Sequence, residues 1–139
     1  MAPDSACLWV LVWCLIINDK GEILLLKRWT TSDEFWTRPG WSVVFKEKVE
    51  DALKRQIREE LWIEIIVSSI INYGDHLIEA ENKHWVNFSF LAQIKNWEIQ
   101  NLQPDRCSEI KWFSLGEIPH NLDETWKKSI QEYRELYKL

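Results

Sequence analysis

The chain has 139 residues with 17 basic and 22 acidic side chains, a net charge of -5, and no basic run, so nothing marks it as a binder of nucleic-acid polymers. That length supports one core without disulfide or metal staples, and residues 1–139 read as a single domain. Cys7, Cys14 and Cys107 make an odd count with no metal-ligand spacing, which points to reduced packing residues and a cytoplasmic setting.

Residues 8–17 are almost wholly apolar. The run is too short to span a bilayer and follows no basic segment, so it predicts a buried strand and no membrane association. Asn18-Asp19-Lys20-Gly21 is a turn signal, and Glu22 to Arg28 predicts a second strand that closes a hairpin. A polar loop then leads to Gly40-Trp41-Ser42-Val43-Val44-Phe45-Lys46-Glu47 and a helix from about Lys48 to Leu61. On that helix Val49, Leu53, Ile57 and Leu61 form an apolar stripe, while Gln56, Glu59 and Glu60 share another face.

Downstream, Ile65 to Ile71 and Trp85 to Ile94 predict strands, Asn96-Trp97 sits where a hairpin turn would be, and Glu109 to Ser114 returns as a strand. Asp123 is placed to cap a last helix, whose stripe is Trp126, Ile130, Tyr133, Leu136 and Tyr137. Strands with a helix between them and another at the end describe an α+β chain, a sheet sandwiched between helices (α/β/α).

A Glu-Glu pair on a helix is most often a solvated face, and Arg55 with Glu59 reads by itself as an i,i+4 ion pair worth a few tenths of a kcal/mol. Adjacent carboxylates that share one face with Glu47 at the helix start also suit a hard cation, which relieves their repulsion. His76, His84 and His120 show no ligand spacing.

The segment from Gly40 to Ile63 resembles the Nudix box, anchored without gaps on Glu47, Arg55, Ile57, Glu59, Glu60 and Ile63. Phe35-Trp36-Thr37-Arg38-Pro39-Gly40 resembles the lead-in of that family, and Cys107 to Leu115 its penultimate strand. The resemblance implies the Nudix fold, a mixed sheet between helices. It also implies metal-dependent attack of water on a pyrophosphate linkage in a nucleoside di- or triphosphate derivative, with Mg2+ or Mn2+ as cofactor.

By the same resemblance Glu59 and Glu60 are metal ligands, and Glu47 is an auxiliary ligand or a carboxylate just behind them. Arg55 orients a glutamate, so Arg55, Gln56, Glu59 and Glu60 make up the catalytic set. Gly40 and Trp41 approach the phosphate, Trp36 flanks the cleft with Trp41, and Glu109 reads the base. The partner is then a small nucleotide, and exposed tryptophans would favour a homodimer.

Three positions depart from the pattern. Gln56 replaces a glutamate, and an amide cannot accept a proton near neutral pH. Glu79 or Glu81, on a later loop, are the candidates to replace it as base. Trp41 and Trp62 replace glycines, Trp97 repeats the oddity in the turn region, and Lys46 stands where relatives often have glycine. The chain has four Gly and ten Trp, where ordinary usage gives about ten Gly. These departures suggest a strongly diverged or an engineered member. They leave a second reading open: a repurposed scaffold binding a small molecule or partner, with a cleft of Trp13 and Trp41 near Lys46 and Glu47 able to host other chemistry.

Overall fold

A computed structural model describes residues 7–29, 33–122 and 124–139. Seven strands and two helices follow in the order β1 (Cys7–Ile16), β2 (Ile23–Trp29), β3 (Glu34–Thr37), β4 (Gly40–Ser42), α1 (Val49–Leu61), β5 (Glu64–Ile78), β6 (Lys83–Asn96), β7 (Cys107–Phe113) and α2 (Glu124–Tyr137). They form a four-stranded mixed sheet ordered β4-β1-β6-β5, in which β1 and β6 run parallel, and a three-stranded antiparallel sheet ordered β3-β2-β7. The apolar run at 8–17 is therefore a strand, and no described helix is long and apolar enough to cross a membrane.

Alternation along β1 and β2 builds both layers. Val12, Cys14, Ile16, Leu24 and Leu26 pack under α1 against Leu53, Ile57 and Leu61. Leu15, Ile17, Ile23 and Leu25 point the other way and pack under α2 against Trp126, Ile130 and Tyr133. Strands buried on both faces read as unbroken apolar runs, which is why the first strand looks like a membrane segment in sequence. Cys14 and Cys107 are buried free thiols. The expected α/β/α sandwich is present, with its sheet split in two. The capping role given to Asp123 lies outside the described residues.

Two expected hairpins do not form. β1 and β2 meet only at the Ile17–Ile23 bridge and then enter different sheets, because β4 and β6 occupy the two edges of β1. The turn itself is real: the Asn18 side-chain oxygen accepts the N–H groups of Lys20 and Glu22, and Gly21 has φ +76°. Likewise β6 ends at Asn96, and residues 97–106 carry the chain across to β7, which pairs with β2 rather than β6. The polar loop also holds two short strands that the sequence does not announce, β3 and β4. β5 runs to Ile78, well beyond Ile71.

Of the residues standing at family glycines, Lys46, Trp62 and Trp97 take positive φ (69°, 56° and 71°), whereas Trp41 lies in β4 and is not among the positive-φ residues. Trp62 is the left-handed C-cap of α1, its N–H bonded to the Arg58 carbonyl. A left-handed non-glycine costs about 1–2 kcal/mol. The cost is offset in part because Trp62 stacks on Trp97 (5.3 Å, 12°), and Arg58 sits 5.7 Å from the Trp97 ring. Such contacts are worth about 0.5–1.5 kcal/mol.

Lys46 is exposed and has no comparable compensation beyond its neighbour Phe45 at 5.5 Å. Lys46→Gly should therefore raise stability by about 1 kcal/mol in a thermal or urea melt. A lower melting temperature would contradict strain at this position.

Candidate active site

Where β4 leaves the lead-in, Gly40 lies against β1 with φ +133°, and a Cβ there would come within 2.1 Å of the Val12 carbonyl oxygen. Glycine is required sterically. Its N–H points to Glu60 on α1, at 3.2 Å from one carboxylate oxygen and 3.4 Å from the other. Arg28, at the end of β2, reaches the same carboxylate at 3.4 Å.

Glu60 is 4% exposed, and burial pushes its pKa up to about 7. Arg28 and the Gly40 N–H pull the other way without cancelling the cost of burial, and Glu59 adds to it.

Arg55 forms a second knot. Its guanidinium donates to Glu47 at 2.8 and 3.0 Å in a forked pair, to the Ser42 carbonyl at 3.1 Å, and to Glu59 at 3.3 Å. One Glu47 oxygen also accepts the Val44 N–H at 3.2 Å. The Arg55 contact holds the Glu47 carboxyl below its ordinary pKa. Both Glu47 oxygens thus help to fasten the 42–47 loop to α1. Gln56 is buried beside them, and its amide is assigned with the oxygen toward Arg55, at 3.0 and 3.3 Å, since the reverse sets an NH2 group against a guanidinium.

Glu60, Gln56 and Gly40 form part of the wall of a cavity of about 640 Å³. Arg28, Arg38 and Arg106 also line it, and Trp13, Trp41, Trp85 and His76 form an aromatic end. Trp41 meets Trp13 at 5.9 Å and Trp85 at 6.5 Å, both at 72°, while His76 stacks on Trp85 at 5.5 Å. The buried Arg38 guanidinium lies 4.4 Å from the Trp13 ring and 5.1 Å from that of Trp126. The cavity therefore combines a buried carboxylate paired with Arg28, two further guanidinium groups and a cluster of indoles, one of which lies against Arg38.

Several sequence-derived site residues are not brought to this cavity. Trp36 packs in the α2 core, edge-on to Phe113 at 4.8 Å, because its neighbours Phe35 and Thr37 face the cavity and alternation turns it away. Glu109 lies exposed on β7, the strand of the three-stranded sheet farthest from β3. Glu79 and Glu81 form a 3-10 turn at the exposed β5–β6 tip and do not line the cavity, and Glu81 pairs with Lys83 at 3.4 Å. Lys46 is exposed as well. Conversely, Arg28, Asn87, Trp85, His76, Gln103 and Arg106 line the cavity without any motif to mark them.

A model of the NUDIX domain matches residues 8–135. The chain belongs to the Nudix family. It is similar to an uncharacterized Nudix hydrolase, YvcI, of Bacillus subtilis, at 28% identity over 76% of this chain and 65% of that protein, so it spans just under two thirds of that relative's length. It is also similar to an RNA pyrophosphohydrolase of Orientia tsutsugamushi, at 23% identity over 91% of this chain and 83% of that protein. Among solved structures, a MutT Nudix hydrolase from Burkholderia pseudomallei aligns with TM-score 0.82 and 31% identity, over 91% of this chain and 98% of that one. None of these comparisons supports an engineered origin.

The raised pKa of Glu60 fixes the sign of a pH effect. In the unfolded chain the carboxyl ionises near 4.5, but in the fold only near 7, so the folded state holds the extra proton between those values and loses stability as pH rises through them. Melts in chelator should show the stability of the chain falling relative to Glu60→Gln from about pH 4.5 to about 7 and levelling above. A relative gain over that range would contradict burial of an undercompensated carboxylate.

Proposed function

We propose that this Nudix protein hydrolyses a pyrophosphate linkage in nucleoside di- or triphosphate derivatives, with Mg2+ or Mn2+ as cofactor. The observation that carries the reading is Glu60, a buried carboxylate held by the Gly40 N–H at the wall of a cavity that guanidinium groups and indoles also line. A phosphate chain suits the guanidinium groups and a planar group the indoles.

The donors present suit a hard cation: the carboxylates of Glu60, on the cavity wall, and of Glu59, the preceding residue of α1, are oxygen ligands, whereas the Gln56 oxygen is turned to Arg55. Burial raises the pKa of Glu60 against the pull of Arg28 and the Gly40 N–H, and a cation beside it would favour the ionised form. Among the described residues, no three His, Cys, Asp or Glu side chains group closely enough to hold a metal, so Glu59 and Glu60 would do so with substrate and water oxygens completing the set. When bound, such a cation supplies charge neutralisation to the phosphates and lowers the pKa of an attacking water.

The chain's own groups define the rest. Arg28 and Arg106 line the cavity and would bind and orient the anionic chain. Arg55, gripped by Glu47, sets the position of Glu59. Gln56 can orient a water but cannot take its proton, so turnover should be slow. Cytoplasmic residence fits the two buried free thiols, and small nucleotides rather than polymers fit the acidic charge and the bounded cavity. A homodimer would fit the half-exposed tryptophans Trp9, Trp41, Trp62 and Trp97.

Phosphate and pyrophosphate release from a nucleotide panel, with Mg2+ or Mn2+ and with chelator, tests this reading on the chain and on Gln56→Glu. The chain should show slow metal-dependent turnover, and the variant should exceed it by about a hundred-fold or more, the usual contribution of a base. Silence from both, with nucleotides still bound, would favour the scaffold reading, in which Trp41 at the mouth makes the cavity a binding pocket.

A further inference from the structure

Trp13 and Asn87 both line the cavity, and the indole Nε1–H of Trp13 donates to the Asn87 Oδ1 at 2.8 Å. An indole nitrogen can only donate, so the bond admits one orientation of the amide: oxygen toward Trp13 and NH2 away from it. Asn87 Nδ2 makes no hydrogen bond to any described residue and the side chain is only half-buried, so its two N–H groups remain to serve a ligand. Opposite Asn87 on β5 stands Gly74, where a Cβ would meet nothing within 4 Å, and the two line a smaller cavity of about 100 Å³ that shares Asn87 and Arg38 with the first.

Along the same face of the sheet, Trp85 precedes Asn87 by two positions on β6, and Trp41 closes over Trp13 and Trp85 from β4. A planar group lying among these indoles would therefore put its edge toward a pair of donors whose orientation it cannot change without breaking the Trp13 bond.

We propose that Asn87 is a specificity-determining residue that selects a planar heterocycle with a carbonyl acceptor on the edge facing it, a keto base such as guanine or uracil rather than an amino base such as adenine or cytosine. Trp13 is the positioning residue that enforces the choice. This rests on the cavity being the nucleotide site. An exocyclic amino group set against the Asn87 NH2 leaves donors facing donors, whereas a carbonyl oxygen is bonded. A site built around such a bond discriminates strongly against the analogue that lacks the acceptor.

Calorimetric titration of the full chain with α,β-methylene triphosphate analogues of guanosine, uridine, adenosine and cytidine, in Mg2+, separates recognition from turnover. Guanosine and uridine analogues should bind about ten-fold or more tighter than their amino counterparts. Asn87→Asp, which keeps the acceptor for Trp13 but has no donor, should abolish or invert that preference. Trp13→Phe should shrink the preference with a smaller change in average affinity, because the amide is then free to turn over. Circular dichroism of each variant confirms that it is folded, and if Asn87→Asp does not fold, the Trp13→Phe ratio decides alone. Equal binding of all four analogues, or a preference unmoved by the substitutions, would overturn the proposal and leave the nucleotide site standing. Failure of all four to bind would overturn both.

Discussion

The missing Cβ at Gly40 is the constraint from which the site follows. With φ +133° and the Val12 carbonyl where a side chain would begin, only glycine lets β4 lie against β1 at this point. That contact aims the Gly40 N–H at Glu60 and sets the Ser42 carbonyl where Arg55 can hold it at 3.1 Å. One steric requirement thus couples the four-stranded sheet to α1 and presents a buried carboxylate at the wall of the cavity. Arg55 and Glu47 complete the coupling by fastening the intervening loop to the same helix.

Outside the core, two groups of tryptophans play unrelated parts. Trp62 and Trp97 occupy left-handed positions suited to glycine, and their mutual stacking returns part of what the backbone conformation costs. Trp13, Trp41 and Trp85 instead build the aromatic end of the cavity, where an indole N–H also fixes the orientation of a neighbouring amide. Counting tryptophans against glycines in the composition merges these groups, although one concerns backbone conformation and the other the wall of the cavity.

Much of the fold is legible in the sequence because its signals are local. The stripe Leu53, Ile57 and Leu61, the apolar run of β1 and the spacing from Gly40 to Glu60 all express helical or strand periodicity over a few residues. Both mistaken hairpins come from the same source, since a turn such as Asn18–Gly21 reports that the chain reverses but not which strands it then pairs with. The site was legible where the box is contiguous. Helical spacing put Glu59 and Glu60 together, but it could not say that Glu60 is buried while Glu59 is 53% exposed in its side chain, because that depends on β4 and β2. Trp36 was misplaced because its neighbours Phe35 and Thr37, not it, take the cavity side of a short strand that has no pattern in sequence. Arg28, Asn87 and Arg106 come from three distant segments, and only tertiary structure brings them to one wall.

Glu60, held by the Gly40 N–H, is where the fold meets the proposed chemistry. The most direct measurement is Mn2+ binding, followed by electron paramagnetic resonance or calorimetry, to the chain and to Glu60→Gln, with circular dichroism confirming the fold of each. Expected is binding by the chain and a loss of about ten-fold or more in the folded Glu60→Gln variant. Undiminished Mn2+ affinity in that variant would show that the buried carboxylate is a structural group and that the cation, if it binds at all, is held elsewhere.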